Sequence, residues 1–337
     1  MNPRIAFIDH HYHIKTRSGD FLRKILQSHF KIDNYWVNNN LKLDEKIFKY
    51  ENLFFFQILP SFQVLKKLKN KNIVWAPMYD SPHYPYGYSW ALWKIIEYLD
   101  IKILSFSKKI TNQLKNFNIK QFSLTFYKKT KNKKINKKIN IFFWNRGDIK
   151  ISDWIKSINF NYINKVYYLN LDGAKPEGMK LYKEKIIMIK KNFSPTREFF
   201  LKLLEKCEVF VCPRRKEGIG MAQVEALSMG KYLLAHKDST MDDYIVNEKI
   251  GVFFNEGKDQ KNLLKKKNII NFKNYRLNYN KNKYSIYLNK KKKILDFFFL
   301  ETKKFYFNFF LEILVFFIYV YKVTYRKFCY YFYKKNL

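Results

Sequence analysis

The sequence predicts an α/β protein of two domains, each a parallel sheet covered by helices on both faces. Three observations carry that expectation. Short apolar runs alternate with segments of helical period over residues 1–126. A basic stretch with almost no apolar content, "YKKTKNKKINKK" (Tyr127–Lys138), then reads as a linker. The alternation resumes at Ile139 and weakens beyond Phe254. A length of 337 residues with 47% hydrophobic content suits two cores.

In the first domain, "RIAFID" (Arg4–Asp9) is a short apolar run ending in a polar loop, the pattern of a buried parallel strand. Phe21, Leu22, Ile25, Leu26 and Phe30 share one face of a following helix. "LFFFQIL" (Leu53–Leu59), "NIVWAPM" (Asn72–Met78) and "IKILSF" (Ile101–Phe106) are further strands, and "WALWKIIEYL" (Trp90–Leu99) is a helix. In the second domain, 139–299, the strands are "INIFFW" (Ile139–Trp144), "VYYLNL" (Val166–Leu171), "IIMI" (Ile186–Ile189) and "EVFVCP" (Glu208–Pro213). Before the last of these lies the helix "SPTREFFLKLLEKC", with Ser194 placed to cap it and Pro195 in its first turn. "YSIYLNKKKKILDFFF" (Tyr284–Phe299) is a helix candidate.

Lys and Arg number 65 against 28 Asp and Glu, a formal charge of +37. Such a balance points to nucleic acid or an anionic membrane surface. Lys, Asn, Ile, Phe and Tyr are all abundant and share A/T-rich codons, so genome composition is a second source of the lysine. No zinc, helix-turn-helix or aromatic RNA-binding signature accompanies the charge, so a specific nucleic-acid partner is not expected. Three cysteines without a C-x-x-C pair argue against a disulfide framework or structural zinc and suit the cytosol. "MNPRIAFIDHHYH" lacks the apolar core and cleavage site of a signal peptide.

The chemistry concentrates in "RRKEGIGMAQVEALSMGKYLLAH" (Arg214–His236). A strand ends at Pro213, the chain turns through Glu217, Gly218, Ile219 and Gly220, and a helix begins near Met221 and ends near Gly230. Glycines let backbone N–H groups approach a ligand, and the N–H groups of a helix start favour phosphate. Glu217 and Glu225, with seven residues between them, flank that turn. A carboxylate cannot bind phosphate but accepts hydrogen bonds from sugar hydroxyls. Glu225 would take a ribose diol and Glu217 a second sugar beyond a diphosphate. Spacing alone leaves open a plain strand-to-helix turn.

From Ser194 to Phe254 the chain resembles the group-one glycosyltransferases, the large retaining family with the GT-B fold. The likeness rests on a helix, a strand ending in proline, and the pattern E-G-[FI]-G-x-x-x-x-E-A-[ML], met by Glu217, Gly218, Gly220, Glu225 and Ala226, with Gly230 and Gly251 following. The resemblance implies two Rossmann-like domains facing a cleft and transfer from a nucleotide-diphosphate sugar with retention. It also implies donor-sugar contact by Glu217 and ribose binding by Glu225. Donor-binding candidates are thus Arg146, Lys150, Gly218, Ile219, Gly220, Met221 and Glu225. The family's basic pair after the first strand of this domain is R-x-x-x-x-K; here "RGDIK" brings the lysine one residue early. Arg214 and Arg215 depart from the family's small residue after the proline. In the first domain, Ser18 and Gly19 of "KTRSGD" occupy the place of the family's glycine-rich loop. Asp80 and His83 of "MYDSPHYPYG" follow a strand and join Glu217 as catalytic candidates. No D-x-D motif is present, so no metal and no cofactor beyond the donor is expected, the leaving diphosphate being met by basic groups and helix N–H groups.

The last segment, 300–337, is a basic, aromatic helical tail. Phe305–Tyr321 is apolar but interrupted by Asn308 and Glu312, and lysines and arginines flank it. It is short for a span and suits the headgroup layer of an anionic membrane. The resulting expectation is a cytoplasmic glycosyltransferase, peripheral on the inner face of the cell membrane, extending a lipid-linked saccharide acceptor of O-antigen, capsule or lipopolysaccharide type. A non-catalytic sugar-binding scaffold with a degenerate site and a basic nucleic-acid-binding protein remain as alternatives.

Overall fold

The computed structural model describes residues 2–38, 42–79, 89–131, 138–146, 148–155, 158–170, 184–190, 196–255 and 263–302, with Phe309, Ile313 and Phe317. The chain divides into two compact units, Met1–Leu124 with Lys290–Leu337, and Thr125–Asn289.

The first unit holds strands β1 (Arg4–His10), β2 (Lys31–Val37), β3 (Asn52–Phe56), β4 (Asn72–Ala76), β5 (Lys102–Ser105) and β6 (Gln121–Ser123). They form one parallel sheet in the order β2-β1-β3-β4-β5-β6. The helices between them are α1 (Tyr12–Thr16), α2 (Asp20–Leu26), α3 (Phe62–Lys67), α4 (Trp90–Tyr98) and α5 (Lys108–Gln113). Strands β1, β3, β4 and β5 fall within or beside the apolar runs that predict them. Strands β2 and β6 are edges of the sheet, and their residues are mostly half-exposed and mixed in polarity, so no apolar run marks them.

The second unit holds β7 (Ile139–Asn145), β8 (Ile163–Asn170), β9 (Ile186–Lys190), β10 (Val209–Val211), β11 (Tyr232–His236) and β12 (Gly251–Phe254). These are again all parallel, in the order β12-β11-β10-β7-β8-β9. Its helices are α6 (Ile151–Ile155), α7 (Arg197–Glu205), α8 (Met221–Ser228) and α9 (Lys266–Asn271). Helix α7 starts after the expected Ser194 cap: Thr196 Oγ1 accepts from Phe199 N at 3.3 Å, and residues 191–195 lie outside the described ones.

The stretch expected as a linker begins as part of this unit. Tyr127 is buried against Tyr244, and Lys131 N–H donates to Ser228 O at 2.8 Å. Residues 132–137 lie outside the described ones.

Helix α10 (Lys273–Phe298) begins well before the Tyr284 expected from apolar spacing. Its early turns bury polar side chains that hold backbone carbonyls. Arg276, 1% exposed, donates to Gly230 O, Lys249 O, Asn268 O and Ile269 O. Asn280 donates to Lys128 O at 3.0 Å and Thr130 Oγ1 at 2.9 Å. A guanidinium with five donors and four carbonyl partners satisfies backbone that would otherwise be buried without hydrogen bonds.

The end of α10 belongs to the first unit. Lys102 of β5 is fully buried, and its ammonium donates to Asn72 Oδ1 at 2.9 Å, Phe298 O at 2.7 Å and Leu300 O. Three donors meet three acceptors at a helix C-terminus, where the dipole favours a cation. Burial nevertheless pulls the Lys102 pKa down to about 8, with Lys120 adding to the shift and Asp100 opposing it. Lys102→Met, which keeps the stem and removes the donors, should cost about 1–3 kcal/mol of stability at neutral pH. The unfolded lysine holds its proton up to the ordinary 10.5, whereas the folded one releases it near 8. Stability therefore rises with pH across that window and is lost as pH falls through its lower edge. The Tm gap between wild type and Lys102→Met should accordingly widen from pH about 8 to about 10 in calorimetry; a gap that stays constant would count against the buried-lysine account.

Candidate functional site

In the second unit the strand order reverses between β7 and β10. From β7 the chain proceeds to β8 and β9 on one side, and from β10 to β11 and β12 on the other. Connections leaving a reversal point diverge, and the carboxyl ends of the two strands border a crevice where open α/β sheets bind ligands. Arg146 follows β7 directly, and the glycine turn follows β10. The expected donor-site residues thus gather at one point of the sheet.

Each is held by identifiable contacts. Arg146 stacks its guanidinium 4.9 Å from the Trp144 ring and places Nη1 3.7 Å from Glu217 Oε1. Arg215 N–H donates to Asp148 Oδ2 at 2.7 Å, tying the loop after β10 to the loop after β7. The backbone of Glu217 is pinned on both sides: its N–H donates to Thr240 Oγ1 at 3.2 Å, and that hydroxyl donates to Glu217 O at 2.9 Å. The Glu217 side chain is buried, 7% exposed. Tyr244 OH lies 3.1 Å from Ile219 O, and burial holds its pKa well above the usual phenol value, so it remains a donor. Gly220 adopts φ 63°, ψ 55°, the left-handed conformation that turns the chain into α8. Gly220, the N-cap residue, has no side chain to cap that helix start. At the other end, Gly230 takes φ 69°, as its expected place after the helix requires.

Glu225, 3% exposed in α8, sits among three cations. Its Oε1 accepts from Lys128 Nζ and, at 2.8 Å, from Arg197 Nη2; its Oε2 lies 3.6 Å from Lys131 Nζ. Oε2 accepts no hydrogen bond among the described residues. Burial acts to raise the Glu225 pKa, but Lys128, Arg197 and Lys131 outweigh it and hold the carboxyl below its usual range. Lys128 is itself pulled down, by burial first, against the pull of Glu225. The carboxylate is therefore ionised at neutral pH, hydrogen-bonded through Oε1, with a buried Oε2 that faces Lys131 and accepts no hydrogen bond among the described residues.

Lys150 is exposed at the start of α6, where its N–H donates to Asp153 Oδ2 at 2.7 Å. Gly218 and Met221 are half-buried and Ile219 buried within the turn. Asp80 and His83 lie outside the described residues. Ser18 Oγ lies 2.9 Å from Thr16 Oγ1. Gly19 precedes α2, and a β-carbon there would stand 2.8 Å from Arg23 Nη1 and 2.9 Å from Asp9 Oδ2. Those two groups form a cluster that sequence reasoning missed, at the end of β1, where the order of the first sheet also reverses. Asp9, fully buried, accepts from His10 N at 2.7 Å and Arg23 Nη2 at 2.7 Å, with His13 Nδ1 at 2.5 Å. Arg23 also lies over the rings of Phe7 and Trp36. Lys128, Arg197 and Gln223 were missed as well; the first two carry no signal apart from their neighbours in a basic chain. Among the described residues no three His, Cys, Asp or Glu side chains group to hold a metal ion, and no helix is long and apolar enough to cross a membrane.

Comparison with known proteins follows this geometry. Residues 182–285 match the family model of glycosyl transferases group 1. No curated protein sequence matches the chain. Among solved structures, S. aureus TarM is 16% identical with a TM-score of 0.54, covering 76% of this chain, which spans only 57% of that protein. Anabaena HepE in complex with UDP and glucose is 10% identical with a TM-score of 0.54, covering 88% of this chain and 99% of its own. WaaG, a glycosyltransferase involved in lipopolysaccharide biosynthesis, is 12% identical with a TM-score of 0.50, covering 88% of this chain and all of its own, 100%. Two parallel six-stranded sheets in these orders and likenesses of this extent define a GT-B fold, and within it residues 182–285 are similar to the group 1 glycosyl transferases.

Proposed function

We propose that the chain is a retaining glycosyltransferase that moves a sugar from a nucleotide-diphosphate sugar to a lipid-linked precursor of a cell-surface glycan. The observation that carries the reading is the pairing, at one reversal point, of Arg146 with Glu217 beside the glycine-led start of α8, and of Glu225 with a carboxylate oxygen that accepts no hydrogen bond among the described residues. The N–H groups of α8 and the Arg146 guanidinium meet the diphosphate. Glu225 Oε2 accepts from the ribose diol, and Glu217 from a hydroxyl of the transferred sugar. The bond from the anomeric carbon to the β-phosphate breaks, the acceptor oxygen bonds to that carbon on the same face, and the acceptor proton passes to the departing phosphate. Cations and backbone donors stabilise the leaving charge, so the reading needs no metal. The UDP and glucose of the HepE complex and the lipopolysaccharide role of WaaG support the donor class and the acceptor class, respectively.

A thermal-shift series with UDP-, GDP- and ADP-sugars tests this on wild type, Glu225→Gln and Glu225→Ala. One donor class should stabilise wild type. Glu225→Gln keeps the shape but loses the charge-assisted bond to ribose, about 1.5–3 kcal/mol, or roughly ten- to a hundredfold in Kd. Both variants leave Lys128 without its counter-charge, so the ligand-free Tm should fall in each, more in Glu225→Ala, which also loses the hydrogen-bonding oxygen. Equal stabilisation of Glu225→Gln and wild type would remove the ribose role.

Attachment to an anionic membrane face, from the cytoplasmic side, is the second part of the reading. Phe309, Ile313 and Phe317 are each helical and exposed, and their spacing of four residues is the one that shares a helix face. A chain ending at Thr302 keeps the Leu300 and Glu301 carbonyls that hold Lys102 and Lys120. That chain should no longer sediment with vesicles rich in anionic lipid, whereas the full chain does. Equal sedimentation would exclude the tail as the anchor.

A further inference from the structure

Gln223 lies in the first turn of α8, two residues after Met221, and is 1% exposed. Neither its Oε1 nor its Nε2 has a hydrogen-bond partner among the described residues, although both atoms are buried. Buried carboxamides without partners are rare because both the donor and the acceptor lose water without replacement. A glutamine at this helix position has one ready intramolecular role, reaching back to the N–H of the residue that caps the helix. Gln223 does not fill that role, since Oε1 accepts nothing from Gly220. Its carboxamide instead fills the space that a β-carbon at Gly220 would need. Two polar atoms are thus stored against the glycine turn, at the end of α8 where N–H groups and dipole both favour an anion.

We infer that Gln223 is a further donor-binding residue, its Nε2 donating to a phosphate oxygen of the nucleoside diphosphate held at the glycine turn. The assignment rests on the nucleotide-sugar reading above and deepens it. A neutral amide suits the position because the flanking carboxylates already have cationic partners. Glu217 faces Arg146, and Glu225 faces Lys128, Arg197 and Lys131. A further lysine or arginine at 223 would compete for those acids; an amide adds a donor to the backbone N–H groups without disturbing the pairs. The same logic explains glycine at 220. Its left-handed backbone is needed for the turn, and its missing β-carbon leaves room for the amide.

The test is calorimetric titration of the full chain with UDP, GDP and ADP and with their glucose conjugates, on wild type and Gln223→Met. Methionine keeps the length and volume but has no strong donor or acceptor. Gln223→Met should keep or raise the ligand-free Tm, since it removes a buried group without partners. It should also weaken whichever diphosphate wild type binds most tightly by about tenfold in Kd, ~1.4 kcal/mol. Unchanged diphosphate affinity overturns the assignment. So does a loss confined to the sugar conjugate, which would put the amide against the sugar. Where Gln223→Met does not fold, Gln223→Glu sets a carboxylate of the same shape against the phosphate, and diphosphate affinity equal to wild type again overturns it. Wild type binding none of the three diphosphates is a different result: it sinks the nucleotide-sugar reading itself, and the role of Gln223 with it.

Discussion

The second unit turns on one backbone constraint. A parallel strand that ends at Val211 must deliver the chain into a helix by Met221, and the left-handed step at Gly220 makes the entry possible. An L-residue with a side chain would resist that conformation by roughly 1–2 kcal/mol. Because the step falls where the strand order reverses, the N–H groups of α8 open at the carboxyl ends of β7 and β10. Thr240 and Tyr244 then fix the turn through the backbone of Glu217 and Ile219. The position of Glu217 near Arg146 follows from those bonds and needs no contact made by its own carboxylate.

Electrostatics in this unit work by local pairing rather than by overall charge. A chain with a formal +37 has cations to spare, yet the informative ones are those that converge on a buried acid. Lys128, Arg197 and Lys131 converge on a single carboxylate, overcoming a burial penalty that alone would push Glu225 toward its neutral form. The exposed lysines of the same stretch have no such consequence. A buried carboxylate that stays ionised is a preorganised hydrogen-bond acceptor, because the groups around it need little reorganisation on binding.

These differences explain what could be read from the residues alone. The inner strands of both sheets were legible because parallel strands buried on both faces are continuous apolar runs. The edge strands β2 and β6 were not, since half-exposed residues carry no such run. The start of α10 was hidden for the opposite reason: its buried positions include Arg276 and Asn280, which hold carbonyls, and polar residues at core positions defeat a search by periodicity. In the candidate site, the two glutamates and the glycines stood out through their spacing. Lys128 did not, because within a basic stretch a buried lysine looks like a solvated one. Nor did Gln223, whose meaning depends on its failure to find a partner once folded.

The two glycine loops at the reversal points show how similar sequence signals can have different physical causes. Gly220 is required by its backbone angles, since no other residue adopts φ 63° at so little cost. Gly19 has φ −88°, open to any residue, and is required instead by space. A β-carbon there would press on Arg23 and Asp9, whose ion pair is buried and whose carboxylate also receives His13 and the His10 N–H. Removing one partner of such a pair is costly because the other charge is left without compensation. Gly19 therefore protects a buried ion pair at the end of β1, whereas Gly220 supplies the left-handed step into α8 and leaves room for the Gln223 amide. Only the second of these arrangements sets a buried amide, without hydrogen-bond partners among the described residues, against the start of a helix.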